Sequence, residues 1–201
     1  MGHYRPARVV TNDDLAQVID TNDEWIRSRV GISERRFSSE QETVASMGAE
    51  AGKAALADAG LTASDIDTVI TATCTLEVQI PHASTRIASA LGIHAPGSFD
   101  VNAACAGFCY GLAVASQAIR TGNSRTVLLV GAEKLTSWID PTDRSNAIIF
   151  ADGAGAAVIT AADTEHIGPV AWGCDEDQTE TIYVADRDSF IAFVEALAAE
   201  R

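Results

Sequence analysis

Long apolar runs are missing from this sequence of 201 residues, and so is a basic start followed by an apolar core. The first absence argues against a transmembrane helix, which needs about 20 consecutive apolar residues. The second argues against an export signal. Low-complexity segments and short internal repeats are absent as well. We therefore expect a globular chain with no membrane partner and with room for one ordinary domain or two small ones.

Cysteine is scarce, with four residues in the chain: Cys74, Cys105, Cys109 and Cys174. Four cysteines in a chain of this length do not form the dense framework of a disulfide-stapled protein. No pair has the spacing of a zinc site, so no metal is expected. Free thiols favour a reducing compartment, and we expect a cytoplasmic protein.

Basic residues are also few, with 14 against 28 acidic ones, and the net charge is −14. Such a charge repels nucleic acid and anionic membranes, so neither is expected as a partner. One local exception is the group Arg27, Arg29, Arg35 and Arg36, which lies beside Trp25. Arginine forks bind phosphate oxygens and a tryptophan ring stacks on a base. This group is therefore either a nucleotide platform or a set of solvated surface charges.

The most informative stretch is residues 98–122, which we interpret as a short strand, a tight turn carrying Cys105, and an apolar helix. A helix start presents unpaired N–H groups and a partial positive charge, and both stabilise an anionic sulfur. An isolated cysteine is otherwise a small apolar core residue. Here small neighbours leave the sulfur uncrowded, so we interpret Cys105 as a candidate nucleophile. Cys109, one turn further on, is interpreted as a buried filler.

Helical and strand patterns alternate along the chain. Helices are predicted to open at residues 11 and 20 and to cover 42–60 and 81–91, and strands are predicted over 65–73, 126–130, 147–150 and 154–159. Residues 1–8 are interpreted as a loop. This alternation predicts an α/β fold, a mostly parallel or mixed sheet flanked by helices, with functional sites at the strand ends.

Five blocks of the sequence resemble the signature blocks of β-ketoacyl-[acyl carrier protein] synthase III, in that family's order and spacing. They are Asp20–Ile26, Val30–Arg36, Asp100–Phe108, Asp140–Arg144 and Phe150–Val158. The resemblance implies the thiolase-like fold, a duplicated α-β-α-β-α arrangement, of which this chain resembles the N-terminal half. We assign that half to residues 1–175. Residues 176–201 are interpreted as a diverged tail, an edge strand followed by a short amphipathic helix.

The resemblance also implies an acyltransferase of fatty acid or polyketide biosynthesis, a condensing enzyme. Cys105 takes an acyl group from acyl-CoA and gives it to the carbanion formed by decarboxylation of malonyl-carrier protein. Trp25 and Arg144 match the pair that holds the CoA adenine, with Thr21 and Arg29 beside it. Acyl-CoA is a substrate in this scheme, acyl carrier protein is a partner, and no separate cofactor is implied.

In that family the second half supplies a histidine and an asparagine that stabilise the carbanion, and neither is matched here. Two alternatives stay open. In the first, the chain condenses substrates as a homodimer or with a complementary second-half chain. In the second, it is a catalytically incomplete fragment or subunit, limited to acyl loading or to protein interaction. Half of a duplicated fold exposes part of a core, so we expect the isolated chain to be oligomeric or poorly soluble.

Overall fold

The computed structural model describes residues 1–164, 166–179 and 181–182 of the chain. By its internal contacts the chain divides into two compact units, Met1–Ile167 and Gly168–Arg201. The first unit contains the sheets and all of the α-helices among the described residues. Every residue assigned to the candidate site lies in this first unit.

In the second unit, the described residues contain one short 3₁₀ helix, Glu176–Gln178, within a polar stretch. The tail helix predicted over 189–199 lies outside the described residues, as does most of the strand predicted over 180–184. The boundary proposed between residues 175 and 176 therefore stays a prediction.

The first unit is built around a mixed sheet. Its strands, with those of a small second sheet, are β1 Gly2–Tyr4, β2 Arg8–Thr11, β3 Glu34–Phe37, β4 Thr68–Ala72, β5 Gly97–Val101, β6 Thr126–Lys134 and β7 Asp152–Thr160. The described residues of the large sheet run in the order β1-β7-β6-β4-β5. Strand β4 pairs in parallel with β5 and β6, whereas β7 is antiparallel to β6 and β1. The small sheet pairs β2 with β3.

Helices flank the large sheet on both faces, which confirms the predicted fold class. They are α1 Asn12–Leu15, α2 Asp23–Val30, α3 Val44–Ala59, α4 Ala83–Leu91, α5 Gly107–Arg120 and α6 Arg144–Ala147. None of the helices in the described part of the chain has the length and apolar character to cross a membrane.

The core follows from the alternation of side chains along the central strands. On β4, Val69 packs with the α3 and α4 side of the core, while its neighbour Ile70 packs with the α5 side. On β6, Leu128 and Leu129 divide between the two sides in the same way. All four are fully buried, and burying each stabilises the fold by about 1.5–3 kcal/mol.

Helix starts are set by local side-chain caps, as the sequence predicts. The hydroxyl of Thr11 accepts from the Asp14 N–H at the start of α1. The side chain of Asn22 accepts from the Trp25 N–H at 2.8 Å and caps α2, which begins at Asp23 and not at the predicted residue 20. Helix α2 ends at Val30, and Gly31 is its C-cap. Gly31 has φ 75°, a conformation that is unfavourable for a residue with a side chain.

Glycines bring α5 close to the sheet. A Cβ atom at Gly111 would lie 2.6 Å from Leu129 Cδ1, and one at Gly107 would lie 3.2 Å from Ala72 Cβ. The helix therefore rests directly on the central strands. Its first turn, with the segment that carries Cys105, is placed at the carboxyl ends of β4 and β5, where the alternating pattern predicts a site.

Two local predictions are wrong. Residues 1–8 are not a loop, because β1 pairs with Ala154–Ala156 of β7. Residues 147–150 are not a strand, because Asp143 accepts from the Ser145 N–H and caps α6, whose C-cap is Ile148. In the first case a distant partner decides the structure, and in the second a local cap overrides the β-propensity of the apolar run.

Candidate active site

Cys105 lies in a tight turn between β5 and α5. The turn is the 3₁₀ segment Ala104–Ala106, directly followed by the first residue of α5. Ala104 has φ 43°, a left-handed conformation that costs a residue with a side chain about 1–2 kcal/mol. Strained backbone of this kind clusters at functional sites. The predicted strand, turn and helix are confirmed, and the thiol of Cys105 is exposed.

Cys109 does not fill the core. It is exposed on α5, next to Phe108, whose side chain is 38% exposed. The interpretation of Cys109 as a buried filler is wrong, because α5 turns this side away from the sheet. Phe108 and Cys109 are thus an exposed apolar flank of α5 next to the Cys105 turn, among the described residues.

A second cysteine, Cys74, lies near the candidate nucleophile and was missed in the sequence. Burial, the Glu133 carboxylate and the neighbouring Cys105 sulfur together raise the pKa of Cys74 to about 12. Glu133 accepts from the Cys74 N–H at 2.8 Å and also binds the hydroxyl of Thr75. Cys74 therefore stays a neutral thiol at physiological pH and does not compete as a nucleophile.

Three predicted binding residues come together on α2 and α6. The guanidinium carbon of Arg144 lies 3.8 Å from the centroid of the Trp25 ring, and that of Arg29 lies 5.7 Å from the same ring. Cation–π contacts at exposed sites are worth about 0.5–1 kcal/mol each. Two exposed arginines on one aromatic ring form a platform whose chemistry suits a planar, anionic ligand.

Thr21 lies just before the cap of the same helix. Its hydroxyl oxygen is buried and has no hydrogen-bond partner among the described residues. A buried hydroxyl without a partner costs free energy unless a ligand or water pairs with it. The structure places Trp25 and Arg29 on α2 and Thr21 two residues before its start, and no described contact links these three residues to Cys105.

The arginine group divides into different roles. Arg27 is exposed and forms only a loose ion pair with Asp23, at 3.8 Å. Arg35, which the sequence left as a platform or solvated residue, is instead buried, with 4% of its surface exposed. It points inward because side chains alternate along β3, and burial lowers the pKa of its guanidinium.

Arg144 is the first residue of α6, and carboxylates stabilise the turns on either side of it. Asp140 accepts from the Thr142 N–H and hydroxyl, at 2.8 and 2.7 Å. Asp143 accepts from the Ser145 hydroxyl and N–H, and these bonds, with one from Asn146, lower the pKa of its carboxyl. The spacing of Asp two residues before Thr or Ser is an Asx-turn signal that the sequence analysis missed.

In residues 1–164 and the other described segments, no group of three or more His, Cys, Asp or Glu side chains could hold a metal ion. The described residues of the site offer an exposed thiol beside strained backbone, and an aromatic and cationic platform.

Comparison with known proteins agrees with the sequence blocks. A family model described as 3-oxoacyl-[acyl-carrier-protein (ACP)] synthase III matches residues 99–176. A β-ketoacyl-[acyl-carrier-protein] synthase III of Mycolicibacterium paratuberculosis is 51% identical over 182 residues, which cover 90% of this chain and 54% of that protein. A synthase III of Streptomyces coelicolor is 47% identical over 176 residues, 86% of this chain and 56% of that protein.

Solved structures give the same answer. The priming β-ketosynthase of the R1128 polyketide pathway has a TM-score of 0.91 at 42% identity, covering 94% of this chain and 57% of that one. The 3-oxoacyl-[acyl-carrier-protein] synthase III of Aquifex aeolicus has a TM-score of 0.79 at 42% identity, covering 81% and 53%. The chain spans about half the length of these relatives. Over the aligned residues it is similar in sequence and structure to about half the length of the β-ketoacyl-[acyl-carrier-protein] synthase III proteins, and it has their thiolase-like fold.

Proposed function

We propose that Cys105 accepts an acyl group from acyl-CoA and that the acyl-enzyme then condenses with malonyl-carrier protein, in fatty acid or polyketide biosynthesis. The observation that carries this proposal is the exposed Cys105 in the strained turn before α5, within a sequence block typical of this family. An exposed thiol with small neighbours gives a thioester carbonyl room to approach.

The loading step is a thioester exchange. The Cys105 thiolate attacks the thioester carbonyl, the carbon–sulfur bond to CoA breaks, and CoA leaves as a thiolate that takes up a proton. The product is another thioester, so the acyl group stays activated. The backbone N–H of Cys105 serves as one donor to the oxyanion of the tetrahedral intermediate.

In the second step, malonyl-carrier protein loses CO₂ and its carbanion attacks the acyl carbonyl. The new carbon–carbon bond expels Cys105 as a thiolate. This step needs groups that stabilise the carbanion, a role that the family resemblance gives to a histidine and an asparagine of the other half. Condensation therefore requires a second-half chain that brings these two residues, because a second copy of this sequence does not match them. The open apolar flank of α5 around Phe108 supports such a partner.

For CoA binding, we assign the adenine to the space between Trp25 and Arg144, with Arg29 for phosphate and the unpartnered Thr21 hydroxyl for a polar group. The guanidinium now stacks on the ring at 3.8 Å, which is contact distance. For a base to stack between the ring and the guanidinium, Arg144 has to move outward by the thickness of one stacked ring, about 3.5–4 Å. Arg144 is exposed, so solvent leaves room for that movement. The free thiols fit a cytoplasmic location.

The test separates loading from condensation. The chain is mixed with acetyl-CoA, and intact-mass spectrometry measures an acetyl group on Cys105; malonyl-carrier protein is then added and product formation is measured. Cys105→Ala should abolish acetylation while CoA binding by calorimetry is kept. Cys109→Ala, the exposed cysteine one turn further on, is the matched control and should be acetylated normally.

The outcomes distinguish the alternatives. Acetylation without condensation supports a chain limited to acyl loading until its other half is supplied. Acetylation followed by product supports the complete reaction. Absence of acetylation in the unmodified chain, or equal acetylation of Cys105→Ala, refutes the proposal.

A further inference from the structure

The buried guanidinium of Arg35 joins elements that are far apart in sequence. Its Nη1 donates to the Val10 carbonyl oxygen of β2 at 3.2 Å, and its Nη2 donates to Asn12 Oδ1 of α1 at 2.6 Å. The same Nη2 donates to the carbonyl oxygen of Ile148, at the end of α6, at 3.4 Å. One side chain thus connects β2 and α1 to the segment that carries Arg144.

Asn12 extends this connection to α2. Its side chain is almost fully buried, and its Nδ2 donates to Asp23 Oδ1 and to the Ile32 carbonyl oxygen, both at 2.8 Å. Asp23 is the first residue of α2, the helix of Trp25. The path from Arg35 therefore reaches both helices of the aromatic platform.

This network lies beside a small apolar cluster of the same elements. Its buried members are Val10, Leu15, Ile19, Ile26, Ala147 and Ile148, with Trp25 packed against them. Apolar contacts hold α2 and α6 together but are not directional. Hydrogen bonds with defined donors and acceptors fix the register between two short helices.

We propose that Arg35 is a positioning residue that, through Ile148 on one side and Asn12 and Asp23 on the other, fixes the relative position of α2 and α6, the helices that carry Trp25 and Arg144, for a nucleotide. The inference rests on the proposed CoA site and adds a residue that touches no ligand.

The energetics favour a positional role over simple stabilisation. Among the described residues, the hydrogen-bond partners of Arg35 are two backbone carbonyls and one amide oxygen, and its Nε has none. A buried cation without a carboxylate is expensive, and an apolar side chain of similar size serves a core equally well or better. What the guanidinium adds is directional contact with two separate helices.

The sharpest test uses a matched pair at the start of α2. Asp23→Ala removes the acceptor for Asn12, whereas Glu24→Ala removes the next acidic side chain, which is exposed. Both changes remove one negative charge from the first turn of the same helix. Calorimetry measures the Kd for CoA, and intact-mass spectrometry measures acetylation of Cys105 by acetyl-CoA and by the acetyl thioester of N-acetylcysteamine, which lacks the nucleotide.

Asp23→Ala should weaken CoA binding by up to about tenfold, equivalent to about 1.4 kcal/mol. Its acetylation by the small thioester should match the unmodified chain, and Glu24→Ala should match it with both reagents. Arg35→Met should show the same selective loss, more strongly, and Arg35→Lys should recover part of the CoA affinity if it reaches either carbonyl. Because the Arg35 variants can also fail to fold, the Asp23 and Glu24 pair decides the outcome.

Equal Kd values for Asp23→Ala and Glu24→Ala, with normal binding by the unmodified chain, would overturn this inference alone. An equal loss with both acetyl donors would also overturn it, because a purely structural defect affects both. Failure of the unmodified chain to bind CoA would overturn the proposed nucleotide site and this inference with it.

Discussion

Replacing Asp152 should lower the free energy of unfolding, and the loss should be larger for Asp152→Ala than for Asp152→Asn. Its carboxylate is buried at the start of β7 and accepts four hydrogen bonds from two other segments. Oδ1 accepts from the Thr136 N–H at 3.0 Å, and Oδ2 accepts from the Thr136 hydroxyl at 2.6 Å. Oδ2 also accepts from the N–H and hydroxyl of Ser38, at 2.8 and 2.7 Å. One side chain thus joins the ends of β3 and β6 to β7.

The magnitude follows from the donors that each variant leaves unpaired. Asp152→Asn can keep an oxygen at the Oδ2 position, so three bonds survive, whereas the Thr136 N–H loses its acceptor and faces the new amide N–H₂ group. Leaving this backbone donor unsatisfied costs about 1–3 kcal/mol, and the facing amide donor places the expected loss toward the upper part of that range. Asp152→Ala removes both oxygens and leaves the N–H groups of Ser38 and Thr136 unpaired, so we expect about twice that loss, about 2–6 kcal/mol.

Urea unfolding followed by circular dichroism, at one fixed protein concentration, measures both variants. Asp163→Ala serves as control, because Asp163 is exposed, and it should change the free energy of unfolding by less than about 0.5 kcal/mol. If Asp152→Ala is no less stable than Asp152→Asn, or if the control loses as much, the assignment of this carboxylate as a joint between strands is wrong.

Two further outcomes follow from the pKa shifts. Iodoacetamide at pH 8 should label the exposed cysteines Cys105 and Cys109 well before Cys74, because the pKa of Cys74 is raised to about 12; peptide mass spectrometry checks the order, and early labelling of Cys74 would contradict it. Glu42 accepts from the Ser39 N–H and the Tyr4 hydroxyl, which lowers its pKa below 4.5. Its stabilisation is therefore complete above pH 4.5 and is lost as the pH falls through the lower folded-state pKa. In Glu42→Gln the urea midpoint should fall less steeply as the pH is lowered through this range. A pH dependence equal to that of the unmodified chain would count against a stabilising role of the Glu42 carboxylate.

Features decided by local chemistry were predictable from the sequence. The cap at Asn22 and the terminal Gly60 mark helix ends by their own conformational preferences. The apolar run of β6 marks a strand that is covered on both faces. The turn with Cys105 was predictable because small residues and a change of period mark the end of β5.

Features decided by distant partners were not predictable in this way. Nothing near Arg35 shows that its side chain is buried, because its acceptors include Ile148, more than a hundred residues away. The contact of Arg144 with Trp25 likewise crosses most of the chain, and only the family resemblance paired them. The prediction from local β-propensity was also wrong at Ile148, which caps a short helix and does not lie in the predicted strand.

The pairing of β1 with β7 has a consequence for synthesis on the ribosome. Residues Gly2–Tyr4 are made long before their partners Ala154–Ala156. At about 5–20 residues per second, these residues wait on the order of ten seconds or more before their strand partner exists. The pairing of β1 is thus completed late, and β4, β5 and β6 can pair in parallel before β1 joins the sheet.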